Sequence, residues 1–130
     1  MTDEELIAGF ESCTLDGAAF THAAHVRAAW WYLRQDSFAG ALARFSTALR
    51  TFATSKGAAG KYHETMTVAY MALIAERLEQ TPDLDWDHFI ARYPELLARD
   101  LLARHYPEAI LTSDLARRVF LLPPRGGRLE

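Results

Sequence analysis

Three histidines near the starts of two segments have the residue type and spacing to hold one ligand together. His22 and His25 are three positions apart, which places both imidazoles on one side of an α-helix. His63, followed by Glu64, begins a later segment with helical periodicity. Neutral imidazoles and carboxylates bind zinc, iron or manganese, and three protein ligands leave one position open for water or substrate. These four residues therefore predict a metal site in which His63 and Glu64 also serve as catalytic acid or base.

The second predicted helix carries its two histidines on its apolar face. At about 100° per residue, Val26, Ala29 and Leu33 cluster on one side of the helix. His22 lies in the middle of this face and His25 near its edge. Both imidazoles are therefore expected to point toward the core.

The fourth predicted helix places His63 in the same kind of position. Met66 and Tyr70 mark its predicted buried face, with His63 at the centre, Thr67 one turn further along and Glu64 at the margin. Short connections make neighbouring helices antiparallel, so helices two and four start at the same end of the bundle. The three histidines are therefore expected to meet in one pocket.

The secondary-structure elements that position the three histidines are all predicted to be helices. Helix formers dominate, and no segment shows the alternation of a strand. Residues 1–122 are predicted to form a single all-α domain, an antiparallel bundle of four main helices covered by smaller C-terminal helices. The main helices are predicted at about 3–13, 22–35, from 38 to the connector at 55–61, and 63–79, with Pro-rich and Gly-rich residues 123–130 as a loose tail.

Composition limits the classes of partner. The chain has 130 residues, half of them hydrophobic, and a formal charge of −3, so neither nucleic acid nor an anionic membrane is expected as a partner. Its single cysteine, Cys13, excludes an internal disulfide, and residues 1–5 lack the pattern of a secretory signal. A cytoplasmic protein is therefore expected, with Cys13 as a small buried residue rather than a nucleophile.

A metal-free pocket is the main alternative. Two helix N-termini meet at the predicted site, and their partial positive charge favours an anion over a cation. Lys56 adds to this charge, and His63 can then act as an acid or base on a bound carboxylate or phosphate. The ligand in either case is a small molecule, anionic or aromatic in the metal-free case. Residues expected to contact it are Arg27, Lys61, Tyr62 and Thr67.

A non-catalytic interaction protein is the third hypothesis. Trp30, Trp31 and Tyr32 are consecutive, and one packing face of a helix cannot bury all three. Trp31 points away from the apolar face, so it lies either under a C-terminal helix or in a homodimer contact. Each histidine taken alone is also explained by a structural role, such as capping a helix.

The two segments that contain the histidines also have a sequence pattern that resembles one in other proteins. Residues 20–30 and 61–67 follow the pattern F-x-H-x-x-H-x-R-x-A-W and then Y-H-E-T-x-T, which resembles a group of small, uncharacterised bacterial proteins. Residues 106–120 are similar to a third block of that group. The resemblance implies a helical domain and no particular reaction. The His triad is similar in arrangement to that of the DinB-like metal enzymes, although their H-x-x-x-H spacing differs from that of His22 and His25.

Overall fold

The structure, a computed structural model, describes residues 1–124, and within them every regular element is helical. The predicted all-α fold class is therefore confirmed. Seven α-helices follow one another within residues 1–124: α1 (Asp3–Glu11), α2 (His22–Gln35), α3 (Phe38–Ser55), α4 (Glu64–Gln80), α5 (Trp86–Arg92), α6 (Glu108–Leu111) and α7 (Asp114–Arg118).

The helices begin where short polar side chains can cap them. Thr2 forms a capping box with Glu5: the Thr2 hydroxyl accepts from Glu5 N at 3.0 Å, and Glu5 Oε1 accepts from Thr2 N at 2.8 Å. Each such N-cap stabilises its helix by about 1 kcal/mol. Side chains also accept from the first turns of their helices at Thr21, Ser37, Asp85 and Ser113.

Helix α2 lies at the centre of the bundle and contacts α1, α3 and α4. Because it is surrounded, it buries residues on most of its circumference rather than along one stripe. Trp30 is fully buried against Trp86 and Phe89 of α5, with ring centroids 5.6 and 6.0 Å away. Trp31 is only half-buried and contacts Tyr32 edge to face. Helix α5 therefore supplies the aromatic cover for Trp30.

An aromatic cluster joins α1 to α2 and α3. Phe10 of α1 is fully buried, and its ring stacks on Phe20 with centroids 4.8 Å apart. Tyr32, Phe45 and Phe52 complete the cluster, with centroids 5.4 to 6.5 Å from Phe10. Aromatic side chains bury the largest apolar areas of any residues, so this cluster fixes how the first three helices pack.

The smaller C-terminal helices are shorter and less regular than the four main ones. Two 3-10 helices, Pro94–Leu97 and Leu101–Arg104, lie between α5 and the short helix α6. Leu96, Leu101 and Leu102 are all buried. Their spacing does not fit one face of an α-helix, so a break in the helix lets all three reach the core.

The C-terminal segment is fastened to the start of α4. The hydroxyl of Thr65, a fully buried residue, donates to Val119 O at 2.8 Å and accepts from Leu121 N at 3.1 Å. Tyr106 donates to Leu121 O at 2.8 Å. Pro123 and Pro124 follow without helical structure, and the rest of the predicted tail lies outside the described residues. No helix between residues 1 and 124 is long and apolar enough to cross a membrane.

Candidate functional site

One cavity of about 510 Å³ lies at the end of the bundle where α2 and α4 begin. Residues from α2, α3, α4 and the connector between α3 and α4 line it. His22, His25 and His63 all belong to this lining, so the structure brings the three predicted histidines to one cavity. Most of the wall is apolar and aromatic, with rings from Phe20, Phe45, Phe52, Tyr62 and Tyr70.

Part of the face of α4 that was predicted as core is the wall of this cavity. Met71 and Ile74 are fully buried, whereas Met66 is 37% exposed and Tyr70 is half-buried. All four line the cavity. Met66 and Tyr70 remain accessible because they border open space instead of packing fully against another helix.

His63 is the N-cap of α4 and uses both ring nitrogens to hold the main chain. Its Nδ1 accepts from Met66 N at 3.1 Å, and its Nε2 lies 2.7 Å from Leu111 O. A carbonyl only accepts, so Nε2 carries the proton and the ring is the neutral Nε2–H tautomer. The ring is buried, and it joins the first turn of α4 to α6.

His22 is anchored in a similar way through one nitrogen only. Its Nε2 donates to Leu96 O at 3.2 Å, and its ring meets Tyr70 edge to face at 5.4 Å. The Tyr70 hydroxyl in turn donates to Ala98 O at 3.2 Å, and burial raises the pKa of this phenol. His22 and Tyr70 therefore connect the cavity wall to the 3-10 helix that contains Leu96.

His25 differs from the other two because its Nε2 is buried without a hydrogen-bond partner. Its ring packs against Phe20, with centroids 4.5 Å apart, and against Phe45 at 6.2 Å. Burial, with a smaller contribution from His22, lowers the pKa of His25 to about 4. The imidazole is therefore neutral at pH 7 and presents an unpaired polar atom in apolar surroundings.

Glu64 is held outside the cavity lining by other residues. Its Oε1 accepts from the Tyr62 hydroxyl at 2.7 Å and from Arg50 Nη2 at 3.2 Å. The Arg50 guanidinium also lies 4.6 Å from the centroid of the Tyr62 ring. The expected position of Glu64 beside the three histidines is therefore corrected, because its carboxylate pairs with an arginine of α3.

Arg27 is also placed differently from the expectation. It pairs with Asp3 of α1, with Nη2 and Oδ1 2.6 Å apart, and does not line the cavity. Lys61, Tyr62 and Thr67 do line it, as expected of ligand-contacting residues. The Thr67 hydroxyl donates to His63 O at 2.8 Å, so Thr67 also helps to form the first turn of α4.

The donor set does not fit a three-histidine metal centre in this arrangement. A metal ligand needs a free lone pair on nitrogen, and Met66 N–H already takes the one on His63. Glu64 is paired elsewhere, which leaves His22 and His25 as neighbouring candidates. Among residues 1–124, no group of three or more His, Cys, Asp or Glu side chains is arranged to hold a metal ion. Metal binding therefore stays a prediction from the sequence.

The charge of the cavity lining is positive. Within the described part of the chain, its lining contains two lysines, Lys56 and Lys61, and no Arg, Asp or Glu. Lys56 Nζ donates to Cys13 O at 3.1 Å, while Lys61 is exposed. Cys13 itself is half-buried and outside the lining.

Phe45, Leu49 and Phe52 of α3 have the helical spacing of core residues, and none of the predicted site residues comes from this helix. All three line the cavity. The sequence contains one indication of their position, because α3 ends at the connector that leads to His63. The last two turns of α3 must therefore lie near the predicted pocket.

The chain matches no protein-family model, and comparisons with curated proteins and with solved structures find no similar protein. The fold and the cavity therefore define the protein only as a helical bundle with a histidine-lined cavity at one end.

Proposed function

We propose that the protein binds a small, largely apolar anion, most simply a carboxylate, in this cavity without a metal ion. One observation carries the proposal: a cavity of about 510 Å³ has aromatic walls, and among residues 1–124 its lining includes two lysines and no Asp or Glu. Small-molecule sites commonly measure about 300–1,000 Å³ and combine apolar walls with a few polar groups.

The lysines and the helix starts support an anion in particular. Helices α2 and α4 both begin at the cavity, and each N-terminus contributes roughly half a positive charge. Lys56 and Lys61 add full charges from the connector between α3 and α4. A carboxylate near these lysines would leave the apolar part of the molecule among the phenylalanine rings.

Binding alone fits the histidines better than catalysis does. Both nitrogens of His63 hold the main chain, so this ring has no free site for proton transfer. The low pKa of His25, about 4, makes it a weak base at pH 7. The predicted catalytic roles of His63 and Glu64 have no support in these contacts.

Two further expectations from the sequence remain proposals. A cytoplasmic location is supported by the single cysteine, since secreted domains of this size often use disulfides. The homodimer through Trp30, Trp31 and Tyr32 has less surface than expected, because Trp30 and Tyr32 are buried within the chain. A small molecule is the partner that the cavity favours.

The test uses matched pairs of small molecules that differ in charge. Octanoate and 3-phenylpropionate are compared with octylamine and 3-phenylpropylamine by calorimetry and thermal unfolding. We expect the carboxylates alone to bind, and at one hundred times its Kd a ligand adds about 2.7 kcal/mol to the free energy of unfolding. That gain raises Tm by roughly 10 °C for a domain of this size.

Matched variants connect the effect with the cavity. Ala53 lines the cavity and Ala43 is exposed on the same helix, so Ala53→Phe should abolish binding while Ala43→Phe leaves it unchanged. Equal binding of amines and carboxylates would refute the anion preference. Stoichiometric zinc, iron or manganese in the untagged purified protein, lost in His63→Ala, would instead support the metal site.

A further inference from the structure

A groove of about 550 Å³, separate from the histidine-lined cavity, has no role in the proposed function. It lies between the end of α3, the connector that follows α3, and helix α7. Three arginines line it, Arg50 from α3 and Arg117 and Arg118 from α7, and all three are exposed to solvent. The chain as a whole has a formal charge of −3, so this arginine groove is a local concentration of positive charge.

Contacts with the protein hold two of the guanidinium groups at the arginine groove. Arg117 Nη1 donates to Gly60 O at 3.1 Å. Arg50 Nη2 donates to Glu64 Oε1 at 3.2 Å, and its guanidinium lies 4.6 Å from the centroid of the Tyr62 ring. Gly60 and Tyr62 are two residues apart, so their Cα atoms are separated by no more than about 7 Å. Because both groups are anchored to one short stretch of the connector, less side-chain entropy is lost when they bind one ligand.

The three arginines keep hydrogen-bond donors and charge for a ligand. A guanidinium group has five N–H donors. Within residues 1–124, Arg50 and Arg117 each use one nitrogen in the contacts above, and Arg118 Nε donates to Asp114 O at 3.4 Å. Two carboxylates oppose the three positive charges: Glu64 pairs with Arg50, and Asp114 lies in the groove lining. An excess of positive charge remains, next to Arg117 and Arg118.

We propose that the arginine groove binds the phosphate group of a small phosphate ester. The N–H donors of a guanidinium group match the oxygens of phosphate, with two parallel hydrogen bonds from one arginine. A phosphate monoester has three acceptor oxygens and nearly two negative charges at neutral pH, so one group can contact more than one arginine. The groove has the volume of a small-molecule site, which leaves room for the esterified part. This site does not require a ligand in the cavity, so it is independent of the proposed function.

The experiment compares two ligands of similar shape that differ in charge. Phenyl phosphate and benzenesulfonate each present three oxygens beside a phenyl ring, but the sulfonate carries one charge at every pH used. Calorimetry at constant ionic strength should show phenyl phosphate binding about tenfold more tightly at about pH 8, where its second charge is present. The difference should become smaller at about pH 5, because the second pKa of a phosphate monoester is about 6. Inorganic phosphate should bind no more tightly than phenyl phosphate, and tighter binding of the free ion would refute the ester as ligand.

Variants of exposed residues assign the binding to the arginine groove. Arg117→Gln and Arg118→Gln should each weaken phenyl phosphate binding about tenfold, because each removes a charged hydrogen-bond donor. Asp114→Asn should strengthen binding, since it removes a negative charge from the lining. Arg99→Gln changes an exposed arginine outside the lining and should bind as the wild type does. Arg118 contacts only its own helix through its Nε, so Arg118→Gln tests the groove without releasing the connector.

Amide NMR spectra locate the bound phosphate. Phenyl phosphate should shift the backbone amides of Arg117 and Arg118 and leave those of Gly17 and Leu49, in the cavity lining, unchanged. Shifts at Gly17 and Leu49 alone would place the ligand in the cavity and refute the groove site. Equal affinity for phenyl phosphate and benzenesulfonate at about pH 8, or unchanged affinity in both arginine variants, would also refute it. A failure of carboxylates to bind the cavity would overturn the proposed function and leave this site standing.

Discussion

The buried imidazole of His25 should make the protein less stable in acid in a way that one substitution removes. The pKa of His25 is lowered from its usual value of 6.5 to about 4, mainly by burial. Between these two values the unfolded chain binds a proton at this residue and the folded chain does not. Stability therefore rises with pH across this window and is unaffected by His25 above it.

The loss of stability in acid can be calculated from the change in the pKa of His25 on folding. Each unit of pKa difference corresponds to about 1.36 kcal/mol. A shift from 6.5 to about 4 therefore removes about 3 kcal/mol of stability when the pH falls through the whole window. This is a large part of the 5–15 kcal/mol by which domains are typically stable.

The assay is urea unfolding of the wild type and of His25→Phe at pH values from 4 to 8, with EDTA present to exclude metal binding. The phenylalanine lacks the titrating group, so the difference in unfolding free energy between the two proteins should change by about 3 kcal/mol between pH 4 and pH 6.5. Other acid-sensitive groups, such as the carboxylate of Glu95, are present in both proteins and cancel.

His88 provides a control of opposite sign. It is exposed, and the hydrogen bond that its Nδ1 donates to the Asp85 carboxylate raises its pKa. Its contribution to stability is therefore present in acid and is lost as the pH rises through its folded pKa. His88→Gln should change the pH dependence in the direction opposite to His25→Phe. Parallel stability curves for the wild type and His25→Phe would refute the burial argument for His25.

Three further substitutions test the packing, each by urea unfolding. Thr65→Val removes two hydrogen bonds to the C-terminal segment and should lower stability by about 1–3 kcal/mol, with an unchanged value contradicting that attachment. Phe10→Ala empties the centre of the aromatic cluster and should lower it by about 3–5 kcal/mol, and a loss below 1 kcal/mol would mean that the cluster is loosely packed. Arg27→Gln breaks a partly exposed ion pair and should lower it by less than about 1 kcal/mol, whereas a larger loss would indicate a role beyond this pair.

The main helices were predictable because their signals are local. Capping residues such as Thr2, Thr21 and Ser37 stand within three or four positions of the groups they satisfy. Apolar spacing then indicates which face of each helix is buried. The last third was less predictable, because the positions of Leu96 and Leu101 in the core, rather than local propensity, decide where the chain breaks.

The meeting of the three histidines could be predicted from periodicity and connectivity, but their chemistry could not. His22 and His63 bind carbonyl oxygens that lie 74 and 48 residues away in the chain. Every residue type supplies a carbonyl, so no sequence pattern marks these partners. The pairing of Glu64 with Arg50 was hidden for a related reason, since many arginines were available to it.

The cavity itself was also invisible in the sequence. Phe45, Phe52 and Tyr70 have the spacing of core residues, and a helix face that borders a cavity has the same apolar pattern as one that is fully packed. Only the space left between the helices distinguishes the two cases, and that space depends on how side chains from several elements fit together.

The attachment of the C-terminal segment has a consequence for how this protein can change during evolution. His63 and Thr65 both reach main-chain carbonyl groups, at positions 111 and 119. Substitution at either acceptor position keeps the carbonyl, so those two positions are free to diverge, whereas replacing either donor side chain removes its bond. In a set of homologous sequences, we expect an invariant histidine and threonine facing two variable positions.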